Sequence, residues 1–102
     1  MKRFLLDDLR VIADIHTTCR TAVQGFKTLE TEEFDVYFFD HDLGEVRPGT
    51  TGLDVLRWAL QENKLKEGSS VFLVTQNPVG RKNMEDQLFT FGWRKRGIEY
   101  VR

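Results

Sequence analysis

Cysteine is almost absent: the chain has one, Cys19. A lone cysteine excludes an internal disulfide, argues against a secreted disulfide-built scaffold and fits a reducing cytoplasm. Two prolines and eight glycines in 102 residues are too few for a collagen-like or low-complexity chain. No apolar run approaches the roughly 18 residues that a membrane span needs. The first ten residues, MKRFLLDDLR, combine basic residues with a short apolar run. Asp7 and Asp8 end that run, so it lacks the length and cleavage site of a secretory signal. The formal net charge is −1, so bulk charge does not point to nucleic acid, and reading of DNA sequence is not expected.

What is present is ordinary globular material, 40% hydrophobic and 30% charged. Residues 1–102 are expected to form one domain, burying roughly 60–70% of the unfolded surface in a single modest core. The charge is unevenly placed. Residues 1–50 carry 6 basic and 10 acidic side chains, and residues 51–102 carry 9 basic and 6 acidic. An acidic half and a basic half in one small domain can build a site where a metal and an anion meet, although sign bias alone most often marks solvated surface.

Residues 2–7, KRFLLD, read as a short buried strand, and residues 11–17, VIADIHT, as a second strand with partial alternation. The gap between them leaves no room for a full helix. Ala22, Val23, Phe26 and Leu29 have helical spacing, which predicts an amphipathic helix over 18–31 with Thr17 or Thr18 as N-cap. Residues 34–40, FDVYFFD, are a near-continuous apolar and aromatic run that suits a central strand covered on both faces. The loop HDLGEVRPGT follows, then a helix over 51–63 opened by Thr50 or Thr51, and a buried strand over 69–75, SSVFLVT. Residues 76–80 read as a turn, and residues 81–95 as a third helix with Met84, Leu88, Phe91 and Trp93 as its apolar stripe. Gly97 is the expected stop, and IEYVR an added edge strand. This order predicts an α/β fold, a mainly parallel sheet of four or five strands with helices on both faces.

In such sheets ligands bind outside the carboxyl ends of the strands. Three predicted strands end there in polar clusters: Asp7-Asp8, Asp40-His41-Asp42 and Thr75-Gln76-Asn77. Carboxylates converging from adjacent strands repel unless a cation or proton lies between them. Asp7, Asp8 and Asp40 are therefore candidate ligands for Mg²⁺ or Mn²⁺, hard ions that take oxygen donors. His41, between two aspartates, is a candidate general acid or base. The turn from Gln76 to Arg81 opens a helix, where backbone N–H groups attract anions. Arg81 offers a forked guanidinium to a phosphate, with Asn77 and Thr75 as neutral partners. His16 and Cys19 have no recognisable partners and read as a loop or strand-edge residue and a small packing residue. Trp58 and Trp93 read as core rather than as nucleobase platforms. The Arg94-Lys95-Arg96 run reads as a solvated helix end suited to the negative dipole pole.

FDHDLGE at 39–45, TTGLDVLRW at 50–58 and QNPVGRKNM at 76–84 give these clusters a family. Together with the acidic pair after the first strand, they resemble the cyclic-phosphate processing receiver-like domains, over about residues 3–90. The resemblance implies a flavodoxin-like or receiver-like three-layer sandwich with its first helix reduced to a loop. It implies that Asp7, Asp8 and Asp40 match the receiver metal and phosphoacceptor positions. His41, Asp42, Asn77 and Arg81 would belong to the pocket particular to this family, which is associated with RNA repair. One departure stands out: a signalling receiver carries a lysine after its fifth strand, and none follows IEYVR here, which leaves Arg81 or Lys82 to meet the phosphate.

Two functions follow as expectations. In the first, the protein is a cytoplasmic, metal-dependent phosphoesterase acting on a cyclic phosphate, either an RNA 2′,3′-cyclic phosphate end or a cyclic nucleotide. Asp40, His41 and Asp42 would do the chemistry, and Thr75, Asn77 and Arg81 would hold the phosphate. In the second, the same pocket is non-catalytic and binds a nucleotide or accepts phosphate on Asp40.

Overall fold

Short apolar runs build the sheet. The computed structural model describes Met1–Arg102. Its strands are β1 (Arg3–Leu6), β2 (Thr17–Cys19), β3 (Val36–Phe39), β4 (Ser70–Leu73), β5 (Arg94–Arg96) and β6 (Glu99–Val101). They form one six-stranded sheet in the order β2-β1-β3-β4-β6-β5. The first four run parallel, and β6 and β5 are antiparallel. Phe4, Tyr37, Val71 and Tyr100 lie in one row across the sheet. Leu6, Phe39 and Leu73 lie in the next row on the same face. Both rows belong to one buried cluster that also holds Val55, Leu56, Met84 and Leu88 from the helices. Phe4, Phe34, Tyr37 and Phe39 pack ring against ring within it.

Local chemistry starts each helix. Thr21 caps α1 (Ala22–Thr31) by accepting from the Gln24 N–H. Thr51 and Asp54 form a reciprocal capping box on α2 (Gly52–Gln61). Asn77 caps α3 (Pro78–Thr90), and Pro78 occupies the first helical position, where a missing N–H is harmless. The three helices form a single layer, α1 against α2 and α2 against α3. Gly25 of α1 lets Leu6 and Val55 approach closely.

The result is an α/β fold with a mostly parallel sheet and three helices, but not helices on both faces. β1 to β2 steps one way across the sheet, and β2 to β3 to β4 step the other way. Right-handed crossovers therefore put α1, α2 and α3 on one face and residues 7–16 on the other. Those residues contain no helix. The second face consequently keeps two half-buried rings, Phe38 and Phe72, stacked at 5.1 Å.

Five element expectations change. The second strand lies at 17–19 rather than 11–17, because Val11 is exposed and only Thr17, Thr18 and Cys19 pair with β1. The first helix starts at Ala22, not 18, because those three residues are in that strand. The third helix spans 78–90 rather than 81–95: Pro78 starts it, and Gly92 stops it at φ 87°. Trp93 reaches the core from beyond the helix, and Arg94-Lys95-Arg96 is an edge strand rather than a helix end. IEYVR does supply a strand, although an interior one, and the sheet has six strands where four or five were expected.

Candidate active site at the switch of strand order

Strand order reverses between β1 and β3, and the crevice at such a reversal is where ligands bind in open α/β sheets. Asp7 follows β1 and Asp40 follows β3; the Asp40 N–H donates to the Leu6 carbonyl at 2.9 Å. Asp8 completes the group. One carboxylate oxygen from each of Asp7, Asp8 and Asp40 lies within 4.8 Å of the others. They line a small cavity of about 280 Å³ with Leu9 and Arg10.

The three acids are held differently. Asp7 is buried, at 2% exposure. Its Oδ1 accepts from the Leu9 and Arg10 N–H groups, and its Oδ2 accepts from Arg10 Nη1 at 2.6 Å. Arg20 donates from Nη1 to the carbonyls of Asp7 and Arg10, pinning the loop from behind. Asp40 is half-buried, and burial is the main cause pushing its carboxyl above the usual carboxylate range. The His41 N–H on its Oδ1 opposes that shift, the negative charge of Asp7 adds to it, and Arg10 and the Thr75 hydroxyl oppose it more weakly.

A second chain of polar groups starts one residue later. His41 Nδ1 lies 3.0 Å from Asp42 Oδ1, and Asp42 Oδ2 accepts from Asn77 Nδ2 at 3.2 Å. These contacts hold the Asp42 carboxyl below its ordinary range, the His41 hydrogen bond most of all. The contact with Asp42 uses Nδ1 and leaves the other ring nitrogen, Nε2, outside it. Thr75 is buried, and its hydroxyl accepts from the Asn77 N–H at 3.1 Å.

Two glycines bring these loops together. A Cβ on Gly52 would overlap the Asp40 carbonyl oxygen, and the Gly52 N–H donates to the His41 carbonyl at 2.7 Å. A Cβ on Gly80 would meet the His41 ring at 2.5 Å. The amino ends of α2 and α3 therefore sit directly on the Asp40-His41 backbone and on the imidazole.

Asp7, Asp8, Asp40, His41, Asp42, Thr75 and Asn77 are thus connected or adjacent. Arg81 is set apart. It does not line the acidic cavity; its Nη2 donates to the Thr75 carbonyl at 2.7 Å, and it faces a groove on the far side of Thr75. Arg10, Gly52 and Gly80 were not singled out in the sequence. The three-residue spacing from Asp7 to Arg10, and the glycines at the two helix starts, were the available signals. His16 is structural: its Nδ1 accepts from the Arg3 N–H and its own N–H donates to the Arg3 carbonyl. Cys19 is buried, with Sγ 3.3 Å from Thr28 Oγ1, and burial pushes its thiol up, as suits an inert packing residue.

Against known families, a sequence model described as the cyclic-phosphate processing receiver domain matches residues 2–89. No curated protein matches the chain.

Proposed function

Because the chain belongs to the cyclic-phosphate processing receiver domain family, we propose that it is a phosphoesterase that opens a cyclic phosphate with the help of a divalent cation. The observation that carries this is the meeting of Asp7, Asp8 and Asp40 within 4.8 Å, beside the His41–Asp42–Asn77 chain. The donor set fits the ion. It is all carboxylate oxygen, as Mg²⁺ and Mn²⁺ require, and Arg10 is one cation against three acids. A bound ion would neutralise charge on the phosphoryl oxygens.

The protein's own groups supply the rest. His41, oriented by Asp42, moves a proton to or from the leaving oxygen through Nε2. Asn77 fixes Asp42 and so fixes the imidazole. Arg81, on the groove side of Thr75, offers its remaining guanidinium nitrogens to a phosphate of the ligand other than the one at the acidic cavity. The substrate class is an RNA 2′,3′-cyclic phosphate end or a cyclic nucleotide, which would tie the protein to RNA repair in the cytoplasm.

A second reading has a specific observation behind it. Asp40 stands at a strand end with Asp7 and Asp8 beside it, an arrangement that also suits an aspartate accepting phosphate. Phosphorus NMR with a 2′,3′-cyclic mononucleotide and Mg²⁺ or Mn²⁺ separates the two. Appearance of a phosphomonoester supports the phosphoesterase. Line broadening with no product, together with labelling of Asp40 by acetyl phosphate, supports the acceptor and overturns the enzyme.

A further inference from the structure

The basic half of the molecule holds a groove that the acidic site does not use. Antiparallel β6 touches β4 through Val71 and Tyr100, so the turn at Gly97-Ile98 stands off from the end of β4. A cavity of about 550 Å³ lies there, lined by Phe38, Phe72, Val74, Ile98, Arg81 and Lys95 among others. A second cavity of about 530 Å³ continues from it and shares Arg81 and Lys95, ending at Thr75. Each is within the size range of small-molecule sites. One wall is apolar and aromatic: Phe38 and Phe72 stack, half-buried, on the sheet face opposite the helices, and Ile98 is 81% exposed at the tip of the hairpin. The other wall carries the cations Arg81 and Lys95 together with the Glu85 carboxylate. Arg81 is tied down through one nitrogen, and the Lys95 ammonium shares Glu85 with the Tyr100 hydroxyl. Lys82 is already paired with Asp86 and adds little.

An apolar aromatic wall facing two cations matches a ligand with a flat heterocycle at one end and a phosphate at the other. Aromatic side chains stack on any base, and arginine and lysine take the phosphate. Thr75 lines the groove, and Asn77, whose N–H donates to the Thr75 hydroxyl, also holds Asp42 of the acidic site, so the two regions are neighbours. We propose that this groove binds a nucleoside 5′-phosphate unit, the base on Phe72, Phe38 and Ile98 and the phosphate on Arg81 and Lys95. Combined with the phosphoesterase reading, on which this part rests, the substrate is a nucleotide phosphorylated on both sides of its ribose: a cyclic phosphate at the acidic cavity and a 5′-phosphate or chain linkage in the groove.

The test uses the whole chain with a chelator present, so that the acidic cavity plays no part. Binding of adenosine 5′-monophosphate, inorganic phosphate and adenosine is followed by amide chemical-shift titration. The monophosphate is expected to bind at least tenfold more tightly than either fragment. Ile98→Ser, at an exposed turn, is expected to weaken it about threefold, and Phe72→Leu, which keeps apolar bulk but removes the ring, about fivefold. Lys95→Gln should weaken the monophosphate and inorganic phosphate alike while leaving adenosine unchanged. Equal affinity for the monophosphate and inorganic phosphate, or insensitivity to both Ile98→Ser and Phe72→Leu, overturns the proposal. Groove binding without turnover of any cyclic phosphate would leave the groove standing and remove the phosphoesterase.

Discussion

Asp35 and Asp40 stand at opposite ends of the same strand and are treated in opposite ways. At the amino end, Asp35 accepts from the Lys2 N–H at 2.7 Å and from Lys66 Nζ at 2.8 Å. These contacts, Lys66 foremost, hold its carboxyl below the ordinary range. At the carboxyl end, Asp40 is partly desolvated beside Asp7 and is pushed up. One end of β3 satisfies its acid and gains stability from it. The other leaves its acid partly desolvated beside a second carboxylate, which costs stability.

The largest expected break in that contrast is chemical. His41→Ala should lower turnover of a cyclic phosphate by roughly 10²–10⁴-fold, the usual worth of a general acid or base, with ligand affinity nearly unchanged. Steady-state kinetics beside a binding titration checks it. Arg81→Ala should instead weaken both, because its charge meets the ligand before and during reaction.

Gly52→Ala attacks the carboxyl end through the backbone. The new methyl would overlap the Asp40 carbonyl oxygen, and forced overpacking costs about 3 kcal/mol or takes the loop apart. A lowered urea midpoint with unchanged slope would be the signature.

Asp40→Asn should weaken Mg²⁺ or Mn²⁺ binding tenfold or more, about 1.4 kcal/mol, in calorimetry. The same variant should raise the metal-free midpoint, since it removes an under-compensated charge. A lowered midpoint would mean that Asp40 serves the fold as Asp35 does.

The smallest effect is at the amino end. Asp35 has a lowered pKa, so the stability it contributes is present above the unfolded carboxylate pKa and is lost as pH falls through the lower, folded value. Asp35→Asn should therefore flatten the acid limb of a stability–pH curve and leave turnover and cation binding alone. The pair is exposed and salt will reduce the difference.

Much of the carboxyl end was legible because it rests on two local signals. Buried strands announced themselves as apolar runs at 2–7, 34–40 and 69–75, and acids or amides ended each run. Parallel pairing then brought the acids together. What could not be read depended on distant partners. VIADIHT looked like a strand because alternation was the only cue, yet Val11 is exposed and the pairing with β1 falls on Thr17–Cys19. Pro78 read as part of a turn, although proline is well tolerated in a helix's first turn. Arg81 sat in the right hexapeptide but on the groove side of Thr75, which only the packing of α3 decides. The uncovered sheet face was missed because an apolar, unalternating strand reads the same whether one face or two are covered.

The outer rim of the sheet has a colloidal consequence. β5 ends the sheet with Arg94, Lys95 and Arg96, all exposed. A free strand edge is a template on which a neighbouring molecule can add its own strand and begin a fibril. Here, an antiparallel approach of two such edges would set arginine against arginine and lysine near lysine, so like copies repel just where their backbones could join. At the opposite rim, β2 offers three residues, too short a run to seed growth. Both margins of a sheet whose second face still shows aromatic rings are thus closed to self-association by strand addition, one by charge and the other by brevity.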